Sequence, residues 1–164
     1  MRHGAAERRS AEGDAARALT AQGIADCRRL AAYLNGEGVA WDAMLCSSAR
    51  RACESAKLMA VGADAAPALE VRDDLNLAGA ETLLSALRAL PEKAETVLLV
   101  AHNPGVHALV LLLAGAGGGQ AARKAARDFP PGAMARLTPD AAAWMHLAPG
   151  GAALRAFVTP EVLK

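Results

Sequence analysis

Two histidines and a set of arginines stand in this sequence where phosphate chemistry could be done. Arg2-His3-Gly4 directly follow Met1. A guanidinium is a planar fork that fits phosphate oxygens. An imidazole beside it can act as base, acid or nucleophile, and a glycine lets the backbone turn or a ligand come close. A second group, Ser47-Ser48-Ala49-Arg50-Arg51, follows the apolar run Ala43–Cys46; a third, His102-Asn103-Pro104-Gly105, follows Thr96–Ala101. Each has an ordinary reading when taken alone. The first is a frayed terminus, the arginines are solvated residues opening a helix, and the histidine is a satisfied loop residue. Brought together, two arginines and two histidines would cradle a phosphoryl group, neutralise its charge without a metal, and supply a nucleophile and a proton donor.

The elements between them say whether that convergence is possible. Ala5–Arg17 has no sustained period and reads as a loop. Thr20 is a candidate N-cap, with Gly23 tolerated in the first turn. Ile24, Cys27, Leu30, Ala31 and Leu34 then recur at helical spacing up to Asn35-Gly36. Ala43–Cys46 reads as a buried strand, 49–61 as a helix, 62–67 as a loop, Leu69–Val71 as a short strand, and 81–90 as a helix stopped by Pro91. Thr96–Ala101 is continuously apolar, as a strand covered on both faces should be, and a helix follows from Val106 to Leu113. Gly115–Gly119 lacks the Lys-Ser/Thr of a P-loop and follows a helix, so it reads as a flexible link. Gln120–Arg127 reads as a short basic helix. Past Pro130-Pro131-Gly132, the segments 133–137, 142–147 and 153–158 read as three strands. Strands alternating with helices predict a three-layer α/β/α sandwich with a mainly parallel central sheet and antiparallel strands near the C-terminus. In such a sheet ligands bind beyond the carboxyl ends of the strands. Both Ser47–Arg51 and His102 fall there, each ahead of a helix whose first amides favour an anion.

Composition narrows the function. A length of 164 residues suits one domain, 1–164. With 53% apolar and 21% charged residues the chain is globular. Lys and Arg number 18 against 17 Asp and Glu, a balance that speaks against nucleic-acid or membrane-surface binding. Aromatics at 3% rule out a stacking platform for single strands and leave Ala, Leu and Val to build the core. Cys27, Cys46 and Cys53 have no disulfide or zinc spacing and read as thiols of a reducing compartment. The polar, charged stretch Ala5–Asp14 is not a signal peptide, and His102, Asn103, Pro104 and His107 interrupt the most apolar window, 97–116. The expectation is a cytoplasmic protein without cofactor. His107 and His146 read as structural or surface residues.

The ordered set of motifs resembles the histidine phosphatase superfamily, the phosphoglycerate mutase-like group, and within it the small SixA-type phosphohistidine phosphatases. Arg2-His3-Gly4 matches the opening signature. Arg17-Ala18-Leu19-Thr20-Ala21-Gln22-Gly23 resembles R-P-L-T-x-x-G, with Ala18 in place of proline. Ser47–Ala56 resembles S-P-A-x-R-A-x-Q-T-A, which puts the family arginine at Arg51 and not Arg50. Val100–Gly105 resembles V-G-H-N-P-G, and Phe129–Ala133, Trp144 and Phe157–Pro160 fit the tail.

The resemblance implies a metal-independent phosphatase with a phosphohistidine intermediate on His3. Arg2 and Arg51 would hold the phosphoryl oxygens, His102 would hydrogen-bond the phosphoryl group, and Arg17 would make a lesser phosphate or substrate contact. Many relatives carry an acidic residue between the second arginine and the second histidine. Asp74 and Glu81 are weak candidates here, which favours a substrate with a good leaving group, phosphohistidine in a protein. A small-molecule phosphomonoesterase and a non-catalytic phosphate-binding module are the alternatives. Partners would be a phosphorylated protein or a small phosphorylated compound, with the chain a monomer or weak dimer. The resemblance also implies a strand ahead of Arg2 for which the sequence has no residues. The expectation is therefore a native start upstream of Met1.

Overall fold

The computed structural model describes residues 1–62, 67–115 and 120–163. The loop expected at 62–67 and the link at 115–119 lie almost wholly outside them. Three parallel strands form the central sheet: β1 (Ala43–Ser47) in the middle, β2 (Leu69–Arg72) on one side and β3 (Val97–Val100) on the other. In register, Met44 lies beside Leu69 and Leu98, and Cys46 beside Val71 and Val100.

Side chains alternate across a strand, so the sheet feeds two cores. Met44, Cys46, Leu98 and Val100 pack with α1 (Ala21–Gly36) and α2 (Arg50–Met59). Leu45, Leu99 and Ala101 pack with α3 (Ala80–Arg88), α4 (Gly105–Ala114) and α5 (Gln120–Arg127). This is the expected α/β/α layering. With so few aromatic residues, the interior is filled mainly by Leu, Ala, Val and Met, and Phe129 is the one fully buried aromatic side chain among the described residues.

An antiparallel pair, β4 (Met134–Pro139) and β5 (Ala152–Val158), completes the architecture. The strand expected over 142–147 is not formed. Trp144–His146 make a 3-10 turn instead, and Trp144 Nε1 donates to the Ala94 carbonyl. A short apolar run cannot be told from other buried segments by periodicity. β4 already has β5 as its partner, and 140–151 become the connection between them.

Residues 1–3 take the place expected for the end of the missing strand. Arg2 bridges Ala101 in parallel. His3 N donates to Ala101 O (3.1 Å) and Ala101 N to Met1 O (3.2 Å). On the other side Arg2 N donates to Ala133 O (3.0 Å) and Gly132 N to His3 O (2.9 Å). Three residues thus join the parallel sheet to the antiparallel pair, and the presumed frayed terminus is clamped from both sides. The Met1 amine donates to Leu99 O (2.8 Å), and burial pushes its pKa down to about 5. Beyond Met1, the remaining lengths of β3 and β4 flank a cleft of about 430 Å³ lined by residues such as Leu98, Ala135, Leu137 and Trp41.

The loop 5–20 is pinned at its base. Ala6 and Leu19 form an antiparallel bridge, Thr20 N donates to Ala5 O (2.9 Å), and Thr20 Oγ1 caps α1 by accepting from Gly23 N (3.0 Å). Gly23 is required there, not merely tolerated: a Cβ on it would stand 2.1 Å from Ala5 O. Gly23→Ala must push Ala5 away, two residues from His3. We expect a loss of about 2 kcal/mol, the usual range for overpacking, read as a lower urea midpoint, together with a drop in anion binding. An unchanged midpoint would show that α1 can slide without cost.

Candidate active site

Three strand ends deliver the side chains. His3 is the last of the three clamped residues at the N-terminus, Arg51 lies in the first turn of α2 just past β1, and His102 stands two residues past β3. All three are buried, at 9%, 2% and 2% exposure. Such burial of charged or titratable groups requires partners, and the partners define the geometry.

His3 Nδ1 lies 2.8 Å from Gly4 O. A carbonyl only accepts, so Nδ1 carries the proton and Nε2 carries the lone pair. That lone pair faces Arg51, whose Nε donates to it at 3.3 Å. Gly4 is itself fixed: its N–H donates to Ser55 Oγ (2.9 Å), and the Ser55 hydroxyl donates to Arg51 O (2.6 Å). His102 approaches from the other side, with ring centroids 5.0 Å apart and planes at 60°. Its Nδ1 lies 3.5 Å from Arg51 Nη2 and its Nε2 2.7 Å from Ser47 Oγ. The guanidinium of Arg51 therefore touches both rings.

The outer rim is built from the loop and from the segment after α5. Arg2 Nη1 donates to Phe129 O (2.9 Å), and Asn103 Nδ2 donates to the same oxygen (2.9 Å). Arg2 Nε and Asn103 Oδ1 are buried without a protein partner. Asp14 comes from the 3-10 turn Asp14–Ala16. Its Oδ2 accepts from Arg51 Nη2 (3.0 Å) and its main-chain O from Arg51 Nη1 (2.8 Å). Arg17 Nε lies 2.8 Å from Asp14 Oδ1, an ion pair without linear hydrogen-bond geometry, and its Nη1 donates to Glu7 O.

The fold brings together Arg2, His3, Arg51 and His102, with Arg17 at the rim through Asp14. Arg50 points outward to Glu54 (2.7 Å) and makes no hydrogen bond or ion pair with these four residues. Asp74 pairs with its neighbour Arg72 (2.6 Å), and Glu81 sits exposed in the first turn of α3. Neither hydrogen-bonds or pairs with the four central residues. His107 packs on Phe129, and His146 is exposed. Asp14, Ser47, Ser55 and Asn103 complete the arrangement; the last three lie within motifs the sequence displays, though without a role assigned to them, and Asp14 lies in none. Ser47 lies at a strand end, where one could look for it. Nothing local in a loop without period could announce that Asp14 meets Arg51. Among the described residues no group of three or more His, Cys, Asp or Glu side chains could hold a metal ion, and no helix is long and apolar enough to cross a membrane.

Burial, helped by the adjacent positive charges, pushes both His3 and His102 down to about 4. Both rings are neutral at neutral pH. The unfolded chain takes up protons near the ordinary 6.5 while the folded chain does not. Stability therefore falls as pH drops from about 6.5 towards 4, on the order of 3 kcal/mol per ring. Urea midpoints measured across that window should slope downward, and His102→Gln should reduce the slope. A flat profile would mean that the rings titrate normally.

The sequence profile of the histidine phosphatase superfamily (branch 1) matches residues 1–78. A Mycobacterium tuberculosis protein is 32% identical over 98% of this chain and 100% of its own length; a Mycobacterium leprae protein is 30% identical over 88% of both. Both are uncharacterized. The structure named as the phosphohistidine phosphatase SixA of Nakamurella multipartitia superposes with a TM-score of 0.85 at 30% identity, covering 98% of this chain and 93% of that one. The protein histidine phosphatase SixA in complex with tungstate superposes at 0.82 with 26% identity, covering 100% and 97%. The chain belongs to the histidine phosphatase superfamily and is of the SixA type.

Proposed function

We propose that this phosphatase works through a phosphohistidine on His3 and that its substrate is phosphohistidine in another protein. The observation that carries the reading is the tautomer of His3. Gly4 O fixes the proton on Nδ1, and the unprotonated Nε2 faces Arg51, which donates to its lone pair, with the His102 ring on the other side.

In the first step Nε2 attacks phosphorus in line. The Nε2–P bond forms, the P–N bond to the leaving imidazole breaks, and the leaving nitrogen takes a proton from solvent water. Arg51 and Arg2 hold the nonbridging oxygens and meet the charge that develops on them. The partnerless Nε of Arg2 is a donor such an anion would satisfy. His102 donates to the phosphoryl group from Nδ1. Ser47 supports that role because its hydroxyl can accept from Nε2–H before substrate arrives and donate to Nε2 once Nδ1 carries the proton. Water then attacks phosphorus, the P–Nε2 bond breaks, and inorganic phosphate leaves.

The acid chemistry favours a phosphoramidate. Partial desolvation pushes the Asp14 carboxyl up, but Arg51 and Arg17 outweigh it and hold the group below the ordinary carboxylate range. An acid held ionised at neutral pH is a poor proton donor. Asp74 and Glu81 make no contact with the central residues. An alkyl phosphate ester needs its leaving oxygen protonated; the imidazole of phosphohistidine does not need a strong acid. The test is a direct comparison of kcat/KM for a phosphohistidine-bearing protein and for an alkyl phosphate ester. We expect the protein substrate to be favoured at least tenfold. Turnover of small phosphate esters alone would leave the phosphatase but remove the proposed substrate.

A further inference from the structure

We propose that Asp14 is the counter-ion of Arg51 before substrate arrives and that the incoming phosphoryl group displaces its carboxylate. Asp14 then sets how tightly the site holds phosphate and how readily it releases the product. The inference rests on the phosphatase reading of the same site.

Arg51 is 2% exposed, and Asp14 is the carboxylate with which it pairs. A buried guanidinium without a countercharge is costly, so Arg51 needs such a group before substrate arrives. The contact is made at Arg51 Nη2, the same nitrogen that faces His102 Nδ1. A phosphoryl group held between His3 Nε2 and His102 Nδ1 needs that nitrogen too. Nη2 has a hydrogen for each, but carboxylate and phosphoryl group are both anions, and two like charges set side by side on one guanidinium repel.

Arg51 does not depend on the carboxylate for its placement. Its Nε is held by His3, and its Nη1 by the main-chain oxygen of Asp14. The carboxylate, by contrast, is free to leave: its side chain is 62% exposed and sits on a short turn that follows Gly13, whose φ is 98°. Rotation of one exposed side chain would open Nη2, and its return would help to expel inorganic phosphate. Arg17, paired to the other oxygen of Asp14, would be released in the same movement to meet the substrate.

The measurement is the affinity for inorganic phosphate and for tungstate, by titration calorimetry, of the wild type, Asp14→Asn and Asp14→Ala. The expected result is that both variants bind the oxyanions about three- to tenfold tighter, since a competing ion pair of this exposure is removed. Product inhibition by phosphate should strengthen by the same factor. The empty variants should melt earlier and show a larger phosphate-induced rise in Tm than the wild type. A group that merely orients Arg51 gives the opposite sign: binding weaker in the variants, or unchanged, overturns the proposal while leaving the phosphatase reading intact. Failure of the wild type to bind either oxyanion overturns both.

Discussion

His3→Ala is expected to abolish turnover, by at least about four orders of magnitude, because it removes the atom to which phosphorus is transferred. Incubation of the wild type with a labelled phosphodonor should leave acid-labile, base-stable label on the chain, and the variant should carry none. The fold should survive. The backbone of residues 1–3 is held by hydrogen bonds to Ala101, Gly132 and Ala133 that do not involve the ring. The ring itself contributes one hydrogen bond to Gly4 O and its contacts with Arg51 and His102. His3→Ala should moreover stabilise the protein below pH 6, where the neutral buried ring is a liability. A variant that folds and still turns over at the wild-type rate would remove His3 from the chemistry altogether.

Arg51→Lys carries the second large effect. One guanidinium meets His3, His102 and both oxygens of Asp14 that face it, through three nitrogens in fixed relative positions. An ammonium is a single point and cannot reproduce that fork. Loss of one preorganised donor to a developing oxyanion costs about 10²–10³ in rate, and here more than one is lost, so kcat/KM should fall about a thousandfold. Arg50→Ala is the paired control. Its side chain is 58% exposed and makes one helical i,i+4 pair with Glu54, an arrangement worth about 0.3–0.5 kcal/mol. Stability and kcat/KM should barely move. The pair of variants separates adjacent arginines that look alike in sequence.

Both predictions bear on how much could be read before the fold was seen. The strand ends and helix starts that carry Arg51 and His102 follow from continuous apolar runs, because Ala43–Cys46 and Val97–Ala101 have no polar residue to suggest an exposed face. Trp144–His146 differ for the opposite reason: an apolar run with a tryptophan resembles a strand, yet it forms a single turn, fastened by Trp144 Nε1 to the Ala94 carbonyl, that leaves Met145 and His146 exposed. Gly23 looked like a weakness in α1, and only its distance to Ala5 O shows that it fixes the approach of the helix to the chain beside His3. The choice of Arg51 over Arg50 followed from motif resemblance and agrees with the direction in which α2 turns each side chain.

The sequence by itself determined the layered architecture, the positions of two strand ends and the residue types that meet there, because burial periodicity and turn chemistry are local properties. Only the tertiary structure decided the rest. It clamped residues 1–3 between Ala101 and Ala133, it set the tautomer of His3 through Gly4 O, and it brought Asp14 across 37 positions to the guanidinium of Arg51. These depend on which strand lies beside which and on where a loop without internal period folds back. Those are long-range contacts, and no local pattern encodes them.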